Sequence, residues 1–570
     1  MNPYMPFIKK YSHYAAVLLV VGMGACSEKY LDVTPKDQVS DLSVWTDPIN
    51  ADVFLNEIYN QLPDLNNEAQ VLEQWTDNSF VGADWMTGRQ SIWNAAVSAS
   101  NYPPSPMGLF DWTKNYSNIR KCNLFIEKVT ASATLTPEYK QKRIPEVRFL
   151  RAFFYHYLWM AHGGVPIITD VLNNETQGEG IFRARNTDAE TAKFIIDELG
   201  AIADQLPTSL TTADQGRPSK WVALTLKGWV ELYAASPLRN PSNDVAKWQQ
   251  AAATNKQIID QGPYNLVADF GTIWLPEQNN GVESIFAKQY KALVKGGHRE
   301  GYMGPVYVKG AQQAWGNLQP TQELVDDFSM DNGLPITDPA SGYNPQNPYV
   351  NREKRFYQTI IYDGAPWQGD IILTRKGVGS QNEIDLGSAN DVTNTGYYAR
   401  KTLDERITAQ DNIALANGAQ NYIFFRFADV LLNYAEAQNE AAGPDASVYG
   451  VIKRLRARSI DPAKDKLSLS LSQNEMRTLI HRERRVEFAF EDKRWFDVLR
   501  WKMAGGPNGV FNKDMHAMLI EDPNKDGTFT YTKVVSYANR KWDDRMYLMP
   551  IPASVLDQNP KIRPQQNPGY

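Results

Sequence analysis

Apolar positions fall at helical spacing in several separate blocks of the chain. Leu150, Phe153, Phe154, Tyr157, Leu158 and Ala161 lie at i, i+3, i+4, i+7, i+8 and i+11, and Gly163-Gly164 stops the stripe. Phe424, Phe427, Ala428, Leu431, Leu432 and Ala435 repeat that spacing ahead of Gly443-Pro444. From Lys220 to Ser236 apolar residues cover nearly the whole circumference, which predicts a helix buried between neighbours. Further helices are predicted over 188–206, 246–261, 446–458 and 475–503. Several come in pairs separated by short breaks, with Ala and aromatics at the contacts, the pattern of an irregular, tetratricopeptide-like helical solenoid. The fold class expected is therefore mostly α. The helical scaffold spans mainly 115–262 and 422–503. The stretches 40–114 and 263–421 are rich in Gly, Pro, Asn and Tyr and show few strong periods. They predict a structured layer of loops and short strands over the helices, the natural place for a binding site. The Pro-rich stretch 545–570 is expected as an extended strap, because proline cannot sit in regular helix or central strand.

The first 26 residues follow a different pattern. Lys9 and Lys10 precede an apolar run from Tyr14 to Val21, and Met23-Gly24-Ala25 lead to Cys26. An export signal needs the run and the small residues; only a lipoprotein signal also needs the cysteine, whose thiol is acylated. Residues 1–25 are thus expected as a signal peptide and 26–570 as a single anchored domain; an ordinary signal with a chance cysteine is the alternative. Met23 stands where such signals usually carry Leu. With Cys26 acylated only Cys122 remains, so a monomer can hold no internal disulfide. No later stretch is long enough to span a bilayer. The net charge of −6 argues against non-specific binding to nucleic acid or to an anionic membrane face.

The most chemical-looking segment is 482–500. Glu487 and Glu491 are four apart on one predicted helix face, a spacing that suits the carboxylate pair of a glycoside hydrolase. Arginines crowd the same segment and favour ionised carboxylates, the wrong direction for a general acid. The i, i+3 pairs Arg484–Glu487, Glu491–Arg494 and Asp497–Arg500 predict instead a helix clamped into the core. In EDPNKDGTF (521–529), Asp522, Asn524 and Asp526 followed by Gly527 match the first half of a calcium loop, with Lys533 where the bidentate Glu belongs. A plain turn is the better reading, and no cofactor is expected. The six histidines form no pair at metal-site spacing, and phosphate-loop, zincin and nucleophile-elbow motifs are absent.

The chain carries 15 Trp and 28 Tyr, more than a core of this size needs. A sugar presents an apolar C–H face and a rim of hydroxyls, so its site needs exposed flat rings beside Asn, Asp or Arg. In 73–96, Trp75, Trp85 and Trp93 are interleaved with Asp77, Asn78, Asp84, Arg89 and Asn94. In 298–317, Tyr302, Tyr307 and Trp315 stand among glycines, and Trp367 in DGAPWQGD is a third candidate. Trp85 and Trp315 are the strongest individual candidates.

Five segments resemble a known family: 146–168 (EVRFLRAFFYHYLWMAHGGVPII), 216–237 (GRPSKWVALTLKGWVELYAASP), 425–440 (FRFADVLLNYAEAQNE), 482–501 (RERRVEFAFEDKRWFDVLRW) and 547–570 (YLMPIPASVLDQNPKIRPQQNPGY). With GACSEKYLDVTP at the start, they look like the SusD/RagB family of surface nutrient-binding lipoproteins. The resemblance implies four tetratricopeptide-like helix pairs packed against a loop-rich remainder, and residence on the outer face of an outer membrane. It implies a TonB-dependent, SusC-like barrel as partner, receiving oligosaccharides or, in some members, peptides. It implies ligand held by aromatics of an N-terminal segment and a mid-chain loop, without catalysis. A surface glycoside hydrolase using Glu487 and Glu491, or a peptide-binding member of the family, are the competing readings.

Overall fold

The structure, a computed structural model, describes residues 44–63, 65–67, 69–81, 88–101, 109–387 and 391–570. The expected signal, Cys26, Asp84 and Trp85 lie outside these residues. No helix among them is long and apolar enough to cross a membrane.

The helical stripes form helices with the caps their flanks supply. These are α1 (Pro48–Asn60), α2 (Trp112–Ala131), α3 (Pro137–His162), α4 (Asp188–Ala203), α5 (Lys220–Ala235) and α6 (Val245–Gln261). After the loop-rich layer come α7 (Phe427–Ala442), α8 (Ala446–Arg456), α9 (Gln473–Glu487) and α10 (Arg494–Arg500). Thr187 and Glu190 close a capping box on α4, and Ser472 and Glu475 close one on α9. From α2 to α7 each helix packs on the next, and α7 also packs on α8 and α9. α6 ends at Gln261 and α7 begins at Phe427, yet these two are intimate neighbours. Residues 262–426 are therefore one long insertion between adjacent scaffold helices. Its two ends are tied by an antiparallel pair, β1 (Ser284–Lys288) with β2 (Tyr422–Arg426).

Three expectations change. Phe424 belongs to β2 rather than to the helix that follows, because the extended pairing with β1 stabilises that segment before α7 starts. The single helix expected over 475–503 is two, α9 and α10. Phe490 (φ 64°) and Asp492 (φ 59°) turn the chain between them through the left-handed region. The C-terminal segment is not wholly extended: Ala553–Gln558 forms a short helix after Pro552. The end of the chain is then pinned by Asn567, whose Nδ2 donates to Met549 O at 2.7 Å and His162 O at 3.0 Å. Cys122 is sealed inside α2, where burial pushes its thiol up to about 12 and leaves it unreactive.

The turn after α9 reshapes the expected ion pairs. Asp497–Arg500 forms at 2.9 Å. Arg484 does not reach Glu487; its Nε donates to Asp497 at 3.0 Å. Arg494 leaves Glu491 and clasps Asp77 in a two-pronged contact at 2.9 Å. Glu487 and Glu491 face Arg426 instead. The guanidinium of Arg426 meets Glu487, Glu491 and Glu283 at 2.7 Å each, with all four side chains buried. Arg355 meets the other oxygen of Glu487 at 3.0 Å and Glu483 at 2.8 Å, and Lys401 meets Glu491 at 2.6 Å. These cations come from the insertion and its end, and the carboxylates other than Glu283 come from α9 and the turn after it, so the network bolts the loop layer to the scaffold. Burial alone would raise the Glu487 carboxyl, but Arg458, Arg426 and Arg355 override it and hold the group well below the usual range.

Glu73 shows the opposite balance. Burial, reinforced by the Asp492 carboxylate, pushes its carboxyl up to about 8. Its neighbours are the backbone N–H of Asp492, donating at 3.1 Å, and Asn78 Nδ2, donating at 2.9 Å. The ordinary carboxylate value is 4.5, so between pH 4.5 and about 8 the folded chain keeps a proton that the unfolded chain releases. Stability falls with rising pH across that window, by at most about 1.4 kcal/mol per pH unit for one proton. Thermal melts of Glu73→Gln and the parent at pH 5 and pH 8 are expected to show a gain for the variant at pH 8 that shrinks at pH 5.

Candidate functional site

Tyr302, Tyr307 and Trp315 are brought together by a short helix, Arg299–Met303, and the hairpin that follows it. Tyr307–Val308 pairs with Ala311–Gln312 across a two-residue turn. Both turn residues, Lys309 (φ 50°) and Gly310 (φ 76°), are left-handed, the geometry that suits a tight hairpin. The chain then folds back: Trp315 N donates to Gly301 O and Asn317 N to Tyr302 O, each at 3.0 Å. Between them Gly316 sits at φ +58°, where a Cβ would come within 2.8 Å of Val306 Cγ2 and 2.9 Å of Asp391 O. The backbone under Trp315 is thus fixed on both sides, while the residue is 38% exposed. Tyr302 and Tyr307 are half-buried.

Beside this hairpin lies an open cleft of about 680 Å³. Tyr307 and Gln312 form one wall; Lys376, Gln381, Glu383 and Asp385 form another, and Asp391 completes it. Asn382 joins the walls, donating from Nδ2 to Tyr307 O at 2.7 Å and accepting from Tyr307 N at 3.1 Å. The cleft offers carboxylate, amide and ammonium groups beside Tyr307, polar partners that a polyhydroxylated ligand calls for, while Tyr302 and Trp315 stand outside its lining. Burial lifts the Asp391 carboxyl above its usual value. Nothing in the spacing of 376–391 (KGVGSQNEIDLGSAND) ties it to Tyr307, since the Asn382 contact exists only in the fold.

The N-terminal candidates lie elsewhere. Trp75 is buried edge-on against Trp495, ring centroids 5.3 Å apart. Trp93 is buried between Phe80 and Tyr537 and flanked by the guanidinium groups of Arg89 and Arg540. Asp77 is consumed by Arg485 and Arg494, and Asn78 Oδ1 accepts from Arg485 Nε at 2.8 Å. Trp367 is buried under Arg400. These residues are interior packing and present no ring or polar edge to a ligand, because segments far away in sequence cover them. Asn94 is exposed. The strand Ser79–Phe80 nevertheless pairs antiparallel with Gln319–Pro320, a few residues after Trp315.

Glu487 and Glu491 are unsuited to catalysis: both are buried and bonded to cations, and the arginines keep Glu487 ionised. Asp522, Asn524 and Asp526 occupy the turn of a hairpin, Met515–Glu521 with Thr530–Tyr537. There the Asp522 carboxylate accepts the N–H groups of Asp526 at 3.2 Å and Gly527 at 2.8 Å.

Sequence comparison decides the family. The SusD family model matches residues 282–570, and a second, described as starch-binding associating with outer membrane, matches 29–230. This chain belongs to the SusD family. Its relatives include the SusD-like protein P2 of Formosa agariphila, 26% identical over 511 residues (87% of this chain, 81% of that protein). The SusD-like protein P25 of the same organism is 24% identical over 460 residues, covering 78% of this chain and 80% of the relative. The same architecture occurs in a SusD-like protein of Bacteroides fragilis, with a TM-score of 0.75, 27% identity, and coverage of 94% of this chain and 100% of the other. A SusD-like carbohydrate binding protein of B. fragilis gives 0.74 at 23% identity over 91% of this chain and 100% of the other, which shows the shared fold.

Proposed function

We propose that this SusD-family chain is a surface lipoprotein that captures a glycan without breaking it and passes it to a TonB-dependent outer-membrane barrel. The observation that carries the reading is Trp315, an exposed residue on a backbone pinned from both sides, in the same loop as Tyr307, which lines a polar cleft. Stacking on a sugar face needs a ring that stays open to solvent without folding away, and the two bonds around Gly316 supply that rigidity. Family membership supports it, as do structural relatives described as carbohydrate binding and laminarin binding. The anchor at Cys26 and the barrel partner come from the signal-like N-terminus and the family.

Affinity electrophoresis against a panel of polysaccharides tests it. One or more glycans should retard the chain, and prolonged incubation should release no new reducing ends. Retardation by none, with binding to a peptide panel instead, overturns the glycan reading. New reducing ends overturn the non-catalytic one.

A further inference from the structure

The cleft beside Tyr307 has a sign of charge as well as a shape. Its lining carries three carboxylates, Glu383, Asp385 and Asp391, and one ammonium, Lys376. All four residues are half-buried. Glu383 gives one oxygen to the backbone N–H groups of Val378 (2.9 Å) and Gly379 (2.7 Å), and Asp385 gives one to that of Gly387 (3.2 Å). These bonds hold the two carboxylates in place without neutralising them. Among the described residues no Lys or Arg forms an ion pair with any of the three, and the Asp391 carboxylate accepts no hydrogen bond.

Three negative charges against one positive leave the lining at a net −2. The hairpin's own cation, Lys309, lies outside the lining, and Asp370 accepts its backbone N–H. Positions 388–390, which read SAN and lie outside the described residues, bring no charge. A neutral sugar can use such oxygens, since its hydroxyls donate to carboxylates in charge-assisted hydrogen bonds. A sulfate or carboxylate group on the sugar has no proton to donate at neutral pH. It also brings like charge to half-buried oxygens, where Coulomb repulsion is stronger than in open water.

We propose that this cleft selects uncharged glycans, and that Asp385 and Asp391 are the residues that turn away sulfated and uronic-acid chains. The inference rests on the reading of the hairpin and its cleft as the glycan site, and it adds the chemical class of sugar accepted there. Glu383 contributes to the same field, but it also holds the 378–379 turn and so serves two purposes. Repulsion of this kind is screened by salt, which separates it from a purely steric rejection of bulky substituents.

Calorimetric titration with matched pairs of polysaccharides tests it: laminarin and sulfated laminarin, dextran and dextran sulfate, hydroxyethyl-cellulose and carboxymethyl-cellulose, with alginate as a natural polyanion. At about 20 mM salt the neutral member of at least one pair should bind, and its charged partner at least tenfold more weakly. Raising the salt to about 300 mM should narrow that gap by strengthening the charged member while leaving the neutral one unchanged. The double change Asp385→Asn, Asp391→Asn keeps an acceptor for the Gly387 N–H, so the melting temperature should hold. It should narrow the gap at low salt at least threefold. Equal or tighter binding of the charged members overturns the inference and leaves the glycan reading standing. So does a gap that neither salt nor the double variant moves. Binding of no polysaccharide, neutral or charged, defeats the glycan reading itself, and the inference falls with it.

Discussion

Arg426→Ala is expected to lower the unfolding free energy by about 3–5 kcal/mol, the range for removing one partner of a buried ionic cluster. The cost arises from what remains. Glu283, Glu487 and Glu491 each lose a contact of 2.7 Å in the interior and are left with fewer partners for a buried charge. Arg426→Lys should recover only part of the loss, since an ammonium cannot make the forked contact to both oxygens of Glu491. Arg183→Ala, which breaks an exposed pair with Asp170, serves as control and should cost well under about 1 kcal/mol. Chemical denaturation of the three variants reads the difference. A loss at Arg426 no larger than at Arg183 would show that the network does not hold the loop layer. Because Arg426 ends the insertion, the variant should also weaken ligand binding by loosening the wall that carries Tyr307.

The second large effect concerns binding alone. Trp315→Ala should reduce affinity for the bound glycan about ten- to a hundredfold, a loss typical of an aromatic anchor at the centre of a contact. The melting temperature should barely move, since the indole covers little of the core. Trp93→Ala should do the reverse: it opens a cavity among Phe80, Tyr537 and two arginines and costs about 3–5 kcal/mol of stability. Calorimetry of binding beside thermal melts separates the two. If Trp315→Ala binds normally while folded, the stacking platform is not at this hairpin. Gly316→Ala is a further check, because crowding against Val306 and Asp391 must shift Trp315 without deleting it.

Much of the scaffold was legible because a helix stripe is a local property. Leu150 to Ala161 and Trp221 to Tyr233 reveal their helices without reference to any other part of the chain. The charges of 482–500 were legible as ion pairs but not as these ion pairs. Spacing assumes a continuous helix, and the left-handed residues Phe490 and Asp492 break it, sending Arg494 to an aspartate 417 positions away. Trp75 and Trp93 failed as surface candidates for a related reason. Trp75 and Trp93 stand among Asp, Asn and Arg, which suggests exposure, yet Asp77 and Asn78 are themselves paired with arginines inside the protein.

The sequence by itself determined most of the helices and the family, and marked out the loop segment carrying Tyr302, Tyr307 and Trp315, since each rests on neighbours within a few turns of chain. Tertiary structure alone decided that 262–426 is inserted between two touching helices, and that Trp315 is open where Trp75, Trp93 and Trp367 are sealed. Exposure is set by whatever packs on top of a residue. In this protein the covering segments come from hundreds of positions away, beyond the reach of any local pattern.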